Sequence, residues 1–309
     1  MIEETPLGPG AEFDAIRQML DRWGDRAVGI GNDAAVVRLP RGDSLVASVD
    51  ASVEGQHFRR EWLEPREIGY RAVTAALSDL AASAAAAIGV LIALELPGSW
   101  LTDLDALADG IGEAVDLAKA HILGGNVSNA ERLSITTTAL GSAFTVLTRR
   151  AAHAGDRIYV TGTFGGPGEA LARLMRGEAA GAYRDRFARP HARLAEARWL
   201  AEHGASAAID VSDGLFADLR HLAAASAVRV EIDAARVPRV PDITPEAALS
   251  SGEEYELIVT AASPLDADKF ERRFGIPLTE IGIVGLGPAG VELHGARVAD
   301  VTSWNHLSR

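Results

Sequence analysis

The chain has 309 residues, 48% hydrophobic and 24% charged, enough apolar side chain to bury the core of one or two domains. Its 30 Lys and Arg against 43 Asp and Glu leave a formal charge of −13. No basic patch interrupts that charge, so neither nucleic acid nor an anionic membrane surface is an expected partner. Cysteine is absent, which removes disulfides, thiolate zinc sites, iron–sulfur clusters and cysteine nucleophiles together.

The opening residues Met1-Ile2-Glu3-Glu4 are acidic and carry no apolar signal region. The most apolar window, Ala84 to Leu94, is closed by Glu95 and is too short to span a bilayer. The cytoplasm is the expected compartment. Ala34 to Leu39 reads as a short strand ended by Pro40-Arg41-Gly42-Asp43, and Leu45 to Val49 as a second. Pro65 at a first helical position, with Glu67 behind it, predicts a helix running through Ala72, Ala76 and Leu80. A buried strand is expected over Ile88 to Leu94. Thr102 and Asp105 read as a capping box that opens a helix through Ala118. Ile122-Leu123 reads as a strand running into a turn at Gly124-Gly125-Asn126, and Leu133 to Leu140 as a Thr-rich strand.

A fresh strand at Arg157 to Thr161 follows Thr148–Gly155, which places the expected domain boundary there, with domains over 1–148 and 149–309. Helices are expected near Glu169–Arg176, His191–His203 and Asp213–Ser226. Strands are expected at Ala207–Ile209, Glu256–Thr260, Glu280–Val284 and Gly290–Leu293, with a hairpin turn at Gly285–Gly290. Strands and helices mix throughout, so the fold class is two α/β or α+β domains.

Several nucleotide motifs fail on their own mechanics. Gly29-Ile30-Gly31-Asn32-Asp33-Ala34 has dinucleotide spacing, but a strand pattern rather than a helix follows it. A P-loop needs Gly-Lys-Ser/Thr, and the two lysines, Lys119 and Lys269, lack those neighbours. There is no Gly-x-Ser-x-Gly and no His-Glu-x-x-His.

What remains is a set of carboxylates in unusual places. Asp79 falls within the apolar helical stripe of Ile68, Ala72, Ala75 and Ala76. It either marks a helix end, with Ser78-Asp79 capping the next segment, or points inward and needs a partner or a metal. Asp210-Val211-Ser212-Asp213-Gly214 sits where a strand runs into a helix, a corner whose backbone N–H groups suit phosphate. Asp33 and Asp50 lie at strand edges, where acids also serve as plain turn residues. Two carboxylates about 4 Å apart repel by about 4 kcal/mol at an effective dielectric of about 20. Several converging would therefore require divalent cations, and an all-oxygen donor set favours Mg²⁺ or Mn²⁺.

In their joint order these segments resemble the thiamine-monophosphate kinase family, within the aminoimidazole-ribonucleotide-synthetase-like superfamily, over nearly the whole chain. The resemblance is carried by Gly29 to Val36, Asp50 to Phe58, Leu77-Ser78-Asp79-Leu80, Gly124-Gly125-Asn126, Gly155 to Gly162, Ile209 to Leu215, Ser251 to Leu257 and Ser303-Trp304-Asn305-His306-Leu307. It implies transfer of the γ-phosphoryl of ATP to thiamine monophosphate. By the same resemblance Asp33, Asp50, Asp79 and Asp210 are the catalytic magnesium ligands, and Ser48 and Asp213 are further metal contacts. Gly125, Asn126, Arg149 and Ser212 match nucleotide contacts, with Asn126 also at a metal position. His57, Glu253 and Trp304 match the thiamine-phosphate site, where Trp304 would stack on the aromatic cation. A homodimer paired through the N-terminal domains is also implied.

Three departures stand out. Gly31-Asn32-Asp33 replaces Gly-Asp-Asp, and Asn126 replaces the family's metal-binding Asp. Ser251-Gly252-Glu253-Glu254-Tyr255 replaces Gly-Gly-Glu-Asp-Tyr. The alternatives are a sister enzyme acting on another phosphate or carboxylate, and a degenerate member that binds such ligands without turnover. Absent cysteine argues against the selenophosphate and hydrogenase-maturation branches.

Overall fold

The computed structural model describes residues 10–30, 34–297, 299 and 301. Of these described residues, those up to residue 80 and from 85 to 144 form one compact unit, and those from 81 to 84 and beyond 144 form a second.

The first unit opens with α1 (Ala11–Trp23), followed by β1 (Ser44–Val53) and α2 (Pro65–Ala82). Next come β2 (Ala86–Leu96), α3 (Leu104–Ala118), β3 (His121–Asn129) and β4 (Ser134–Ala143). The sheet order is β1-β4-β2-β3; β4 is antiparallel to both neighbours, and β2 and β3 run parallel. Alternate residues of β2 and β4, Val90, Ile92, Leu94, Ile135 and Ala139, are buried, as a sheet with one packed face requires. The helices α2 and α3 approach so closely that a Cβ on Gly110 would lie 1.8 Å from the Arg66 carbonyl oxygen. α1 is tied to α3 by Arg22 on Asp109, by Arg26 on Asp116, and by the Trp23 indole donating to the Ala108 carbonyl at 2.9 Å.

The second unit contains β5 (Arg157–Thr161), α4 (Gly166–Met175), α5 (Arg184–Ala188), α6 (Leu194–Glu202), β6 (Ala205–Asp210) and α7 (Leu215–Ser226). It continues through β7 (Arg229–Asp233), α8 (Pro245–Ser250), β8 (Leu257–Ala261), α9 (Ala267–Phe274), β9 (Leu278–Gly285) and β10 (Gly290–His294). The six strands run β10-β7-β9-β5-β8-β6. Ile158 and Val160 pack with Ile209, Leu215, Leu219 and Leu222 in one core. Tyr159 and Ala208, one residue out of phase, pack with Leu200, Val259 and Phe270 in another. The sheet is thus buried on both faces, a helix–sheet–helix layering that matches the expected α/β class.

Four local expectations are corrected. Residues 35–40 form no strand, and Val36 is 81% exposed; the run is apolar but has no strand to pair with. Gly124 and Gly125 do not turn the chain but lie inside β3, past a register shift opposite Val90/Leu91. A Cβ on Gly125 would come within 1.9 Å of the Ile92 carbonyl oxygen, so the glycine serves close approach of strands rather than a turn. The Thr102–Asp105 capping box is absent: a 3-10 stretch, Gly98–Asp103, leads into α3, and Asp103 stands at its N-cap without a side-chain cap. Gly285–Gly290 is no hairpin turn, because β9 and β10 both pair with β7, antiparallel and parallel respectively. No helix among the described residues is long and apolar enough to cross a membrane.

Candidate active site

In the first unit β1 presents Ser48 and Asp50 at alternate positions, so both face the same side of the sheet. The Ser48 hydroxyl donates to Asp79 Oδ2 from α2. The helix continues to Ala82, so Asp79 is no cap; it is a half-buried acid turned toward the sheet, the second of the two readings its place in the apolar stripe allowed. Asp50 is opposite Thr137 on β4, and that row continues through Ile92 to Gly125. The Asp50 Oδ1 accepts the Ala51 N–H at 2.8 Å. Gly125 and Asn126 are exposed, and Asn126 makes no side-chain hydrogen bond among the described residues. His57 lies in the turn after β1, its Nδ1 accepting the Val53 N–H at 3.1 Å. That bond leaves Nε2 as the protonated nitrogen of the neutral ring, a donor fixed in direction by the turn.

In the second unit Asp210 ends β6 and is buried, and the chain turns through Ser212 and Asp213, both half-buried, into α7. The segment carrying Glu253 is stitched along this corner. The Glu253 N–H donates to the Ser212 carbonyl at 2.7 Å, the Tyr255 N–H to Val211 at 2.9 Å, and the Val211 N–H to Glu256 at 2.8 Å. Glu253 and Tyr255 adopt φ of 56° and 52°, left-handed values that cost non-glycine residues energy and persist only where neighbours enforce them. Glu254 between them is buried. It accepts from the Ser251 hydroxyl at 2.6 Å and from Arg186 at 3.1 Å, and also takes the Gly165 N–H at 2.5 Å. Burial pushes its carboxyl up to about 7, with Arg186 pulling the other way. Glu256 beside it receives two hydrogen bonds from Arg193 and one from Thr161. The extra methylene of Glu254 is thus absorbed into a buried network.

Two residues that the sequence reading did not single out complete this corner. Asp218, in the first turn of α7, is 2% exposed and accepts the Asp213 N–H at 3.1 Å. Burial, then the charges of Asp210 and Asp213, push its carboxyl up to about 8, while Arg149 opposes them. Arg149 is exposed, and its charge acts on the Asp218 carboxyl. His221, one turn further along α7, brings a ring nitrogen into a group whose ligand atoms, with those of Asp213 and Asp218, all lie within 4.8 Å of one another. At 100° per residue Asp218 falls about 40° outside the arc of Leu215, Leu219 and Leu222, whereas Asp79 falls within its own apolar stripe, so a helical wheel does not single Asp218 out. Carboxylates gathered this closely, one of them buried, suit a divalent cation bound through oxygen.

The structure therefore brings together Ser48 and Asp79 in one unit, and Arg149, Asp210, Ser212, Asp213 and Glu253 in the other. Asp33 and Trp304 lie outside the described residues.

Residues 31–143 match the AIR synthase related protein N-terminal domain, and residues 153–293 match the C-terminal domain of that family. The fold and its acidic corners thus define a two-domain protein of the AIR-synthase-related class. Among curated relatives, the thiamine-monophosphate kinase of Bacillus subtilis (strain 168) is 31% identical, over 88% of this chain and 91% of its own. That of Caulobacter vibrioides is 36% identical, over 89% of this chain and 84% of its own. A crystal structure of thiamine-monophosphate kinase from Stenotrophomonas maltophilia K279a superposes with a TM-score of 0.83 at 32% identity, covering 92% of this chain and 97% of that one. AaThiL complexed with AMPPCP and TMP superposes with a TM-score of 0.77 at 29% identity, covering 96% of each chain. The chain belongs to the thiamine-monophosphate kinase family.

Proposed function

We propose that this protein transfers the γ-phosphoryl group of ATP to the phosphate of thiamine monophosphate, giving ADP and thiamine diphosphate. Family membership supports the substrates. The observation in this chain that carries the chemistry is the acidic corner at the start of α7, where ligand atoms of Asp213, Asp218 and His221 lie within 4.8 Å of one another and where burial, then the charges of Asp210 and Asp213, push the Asp218 carboxyl up to about 8. A cation bound there would relieve that repulsion.

The bond from the γ-phosphorus to the β–γ bridging oxygen breaks, and an oxygen of the thiamine phosphate takes its place. The attacking oxygen is already anionic, so no general base is needed; positioning and charge neutralisation supply the catalysis. Ser48, Asp50 and Asp79 in the first unit, and Asp210 and Asp213 in the second, are the magnesium ligands of this reading, their oxygen donors fitting that ion. Asp33 stands with them by family pattern alone. Bound magnesium would neutralise the phosphate charge and orient the oxygens. Arg149 and Ser212, with Gly125, are assigned to the nucleotide. His57, through Nε2–H, is assigned to the thiamine phosphate, and Glu253 and Trp304 to the cationic ring system. A homodimer is part of this reading, consistent with the exposed Leu45 and Val49 of the edge strand β1, and the cytoplasm is its proposed compartment.

The test is ADP release with thiamine monophosphate over a wide Mg²⁺ range. Turnover that requires both is expected. Ligand binding by calorimetry without ADP release would favour a non-catalytic member, the reading that Asn126 motivates.

A further inference from the structure

Thr137 lies at the centre of β4, paired with Asp50 on one side and Ile92 on the other. It is fully buried, and its Oγ1 is the sole buried side-chain polar atom among the described residues with no hydrogen-bond partner. Buried hydroxyls are nearly always paired, so an orphan at the middle of a sheet calls for a physical reason. Side chains directly opposite on antiparallel strands have Cβ atoms about 4.5–5.5 Å apart and share a face. The Thr137 and Asp50 side chains are therefore direct cross-strand neighbours on one face of the sheet. Asp50 uses Oδ1 for the Ala51 N–H, and no hydrogen bond reaches Oδ2 from the described residues. Two residues back on the same face, Ser48 already donates to Asp79. One hydroxyl–carboxylate pair is made and its neighbour is unmade.

We propose that Thr137 is a positioning residue for Asp50. Its hydroxyl donates to the Asp50 carboxylate when that group binds a divalent cation, and so fixes which oxygen faces the ion. A ligating carboxylate gains orientation and affinity from such a donor behind it. A resting orphan is what this requires, because the partner oxygen turns toward Thr137 only in the loaded state. The inference rests on the assignment of Asp50 as a metal ligand and specifies how that ligand is aimed.

The test uses the full-length protein with Mn²⁺ alone as the probe, followed by loss of the free-ion EPR signal, together with thermal unfolding in EDTA. Thr137→Val keeps the shape and deletes the hydroxyl; Thr137→Ser keeps the hydroxyl and deletes the methyl. Thr137→Val should raise the unfolding temperature in EDTA by a few degrees, since a buried unpaired hydroxyl is removed. It should also weaken Mn²⁺ binding by about tenfold. Thr137→Ser should bind within about twofold of wild type. Wild-type affinity in Thr137→Val, with or without the stability gain, overturns the proposal. Equal weakening in both variants also overturns it, because packing of the methyl would then be the cause. No Mn²⁺ binding by wild type would overturn the metal assignment itself, a different failure.

Discussion

The hydroxyl of Ser48 on β1 donates to the carboxylate of Asp79 on α2, thirty-one residues away, and joins strand to helix through an acid that an apolar helix face would otherwise exclude. The bond gives Asp79 a direction as well as a partner. Asp79→Asn should lower kcat/KM for ADP formation by about 100-fold or more, the scale of several kcal/mol of lost charge stabilisation. Ser48→Ala, which leaves the charge but frees its orientation, should cost about tenfold. Asp21→Asn, at an exposed position on α1, should change neither. Equal activity in Asp79→Asn and Asp21→Asn would remove Asp79 from the site.

Glu254 sets a pH dependence of stability. Its folded carboxyl is raised from 4.5 to about 7, chiefly by burial. A raised value means the folded state favours the protonated form. The stability this group contributes is therefore complete below about 4.5 and is lost as pH rises through about 7. Glu254→Gln cannot ionise, so the difference in Tm between variant and wild type should shift in favour of the variant from pH 5 to pH 8. Thermal unfolding across that range measures it; a constant difference would contradict the assignment.

The crossing of α2 and α3 depends on the missing side chain at Gly110, where a Cβ would collide with backbone that cannot give way. Gly110→Ala should destabilise by about 3 kcal/mol or more, seen as a large fall in Tm. Gly98→Ala, where a Cβ would meet nothing within 4 Å, is the control and should be nearly neutral.

Asn126 stands one residue past Gly125, where the family pattern has a carboxylate. Asn126→Asp should lower the half-saturating Mg²⁺ concentration for turnover by about threefold, with Tm unchanged, since Asn126 is exposed. An unchanged Mg²⁺ requirement would place Asn126 outside the metal site.

The fold class, most of the strands and the long helices were legible because hydrophobic period and turn residues are local signals. Asp79 was legible for a related reason: a carboxylate in an apolar stripe contradicts its surroundings before any coordinates exist. Asp218 gives no such signal: on the wheel it falls beside the Leu215–Leu219–Leu222 stripe rather than within it, and its burial shows only in the folded corner. The parallel pairing of β10 with β7 was not legible, since Gly285–Gly290 looks locally like a hairpin and only β7, lying between β9 and β10, shows otherwise. Nor was the state of Thr137, an ordinary strand threonine by sequence. That its hydroxyl is unpaired depends on what Asp50 and Ile92 offer across two neighbouring strands.

The proposed magnesium-dependent phosphoryl transfer is tested most directly by following ADP release from ATP and thiamine monophosphate in wild type, Asp79→Asn and Asp210→Asn, with Mg²⁺ and with EDTA. Turnover in wild type should vanish with EDTA and fall by about 100-fold or more in each variant. Turnover that survives EDTA, or that either substitution leaves intact, would contradict it.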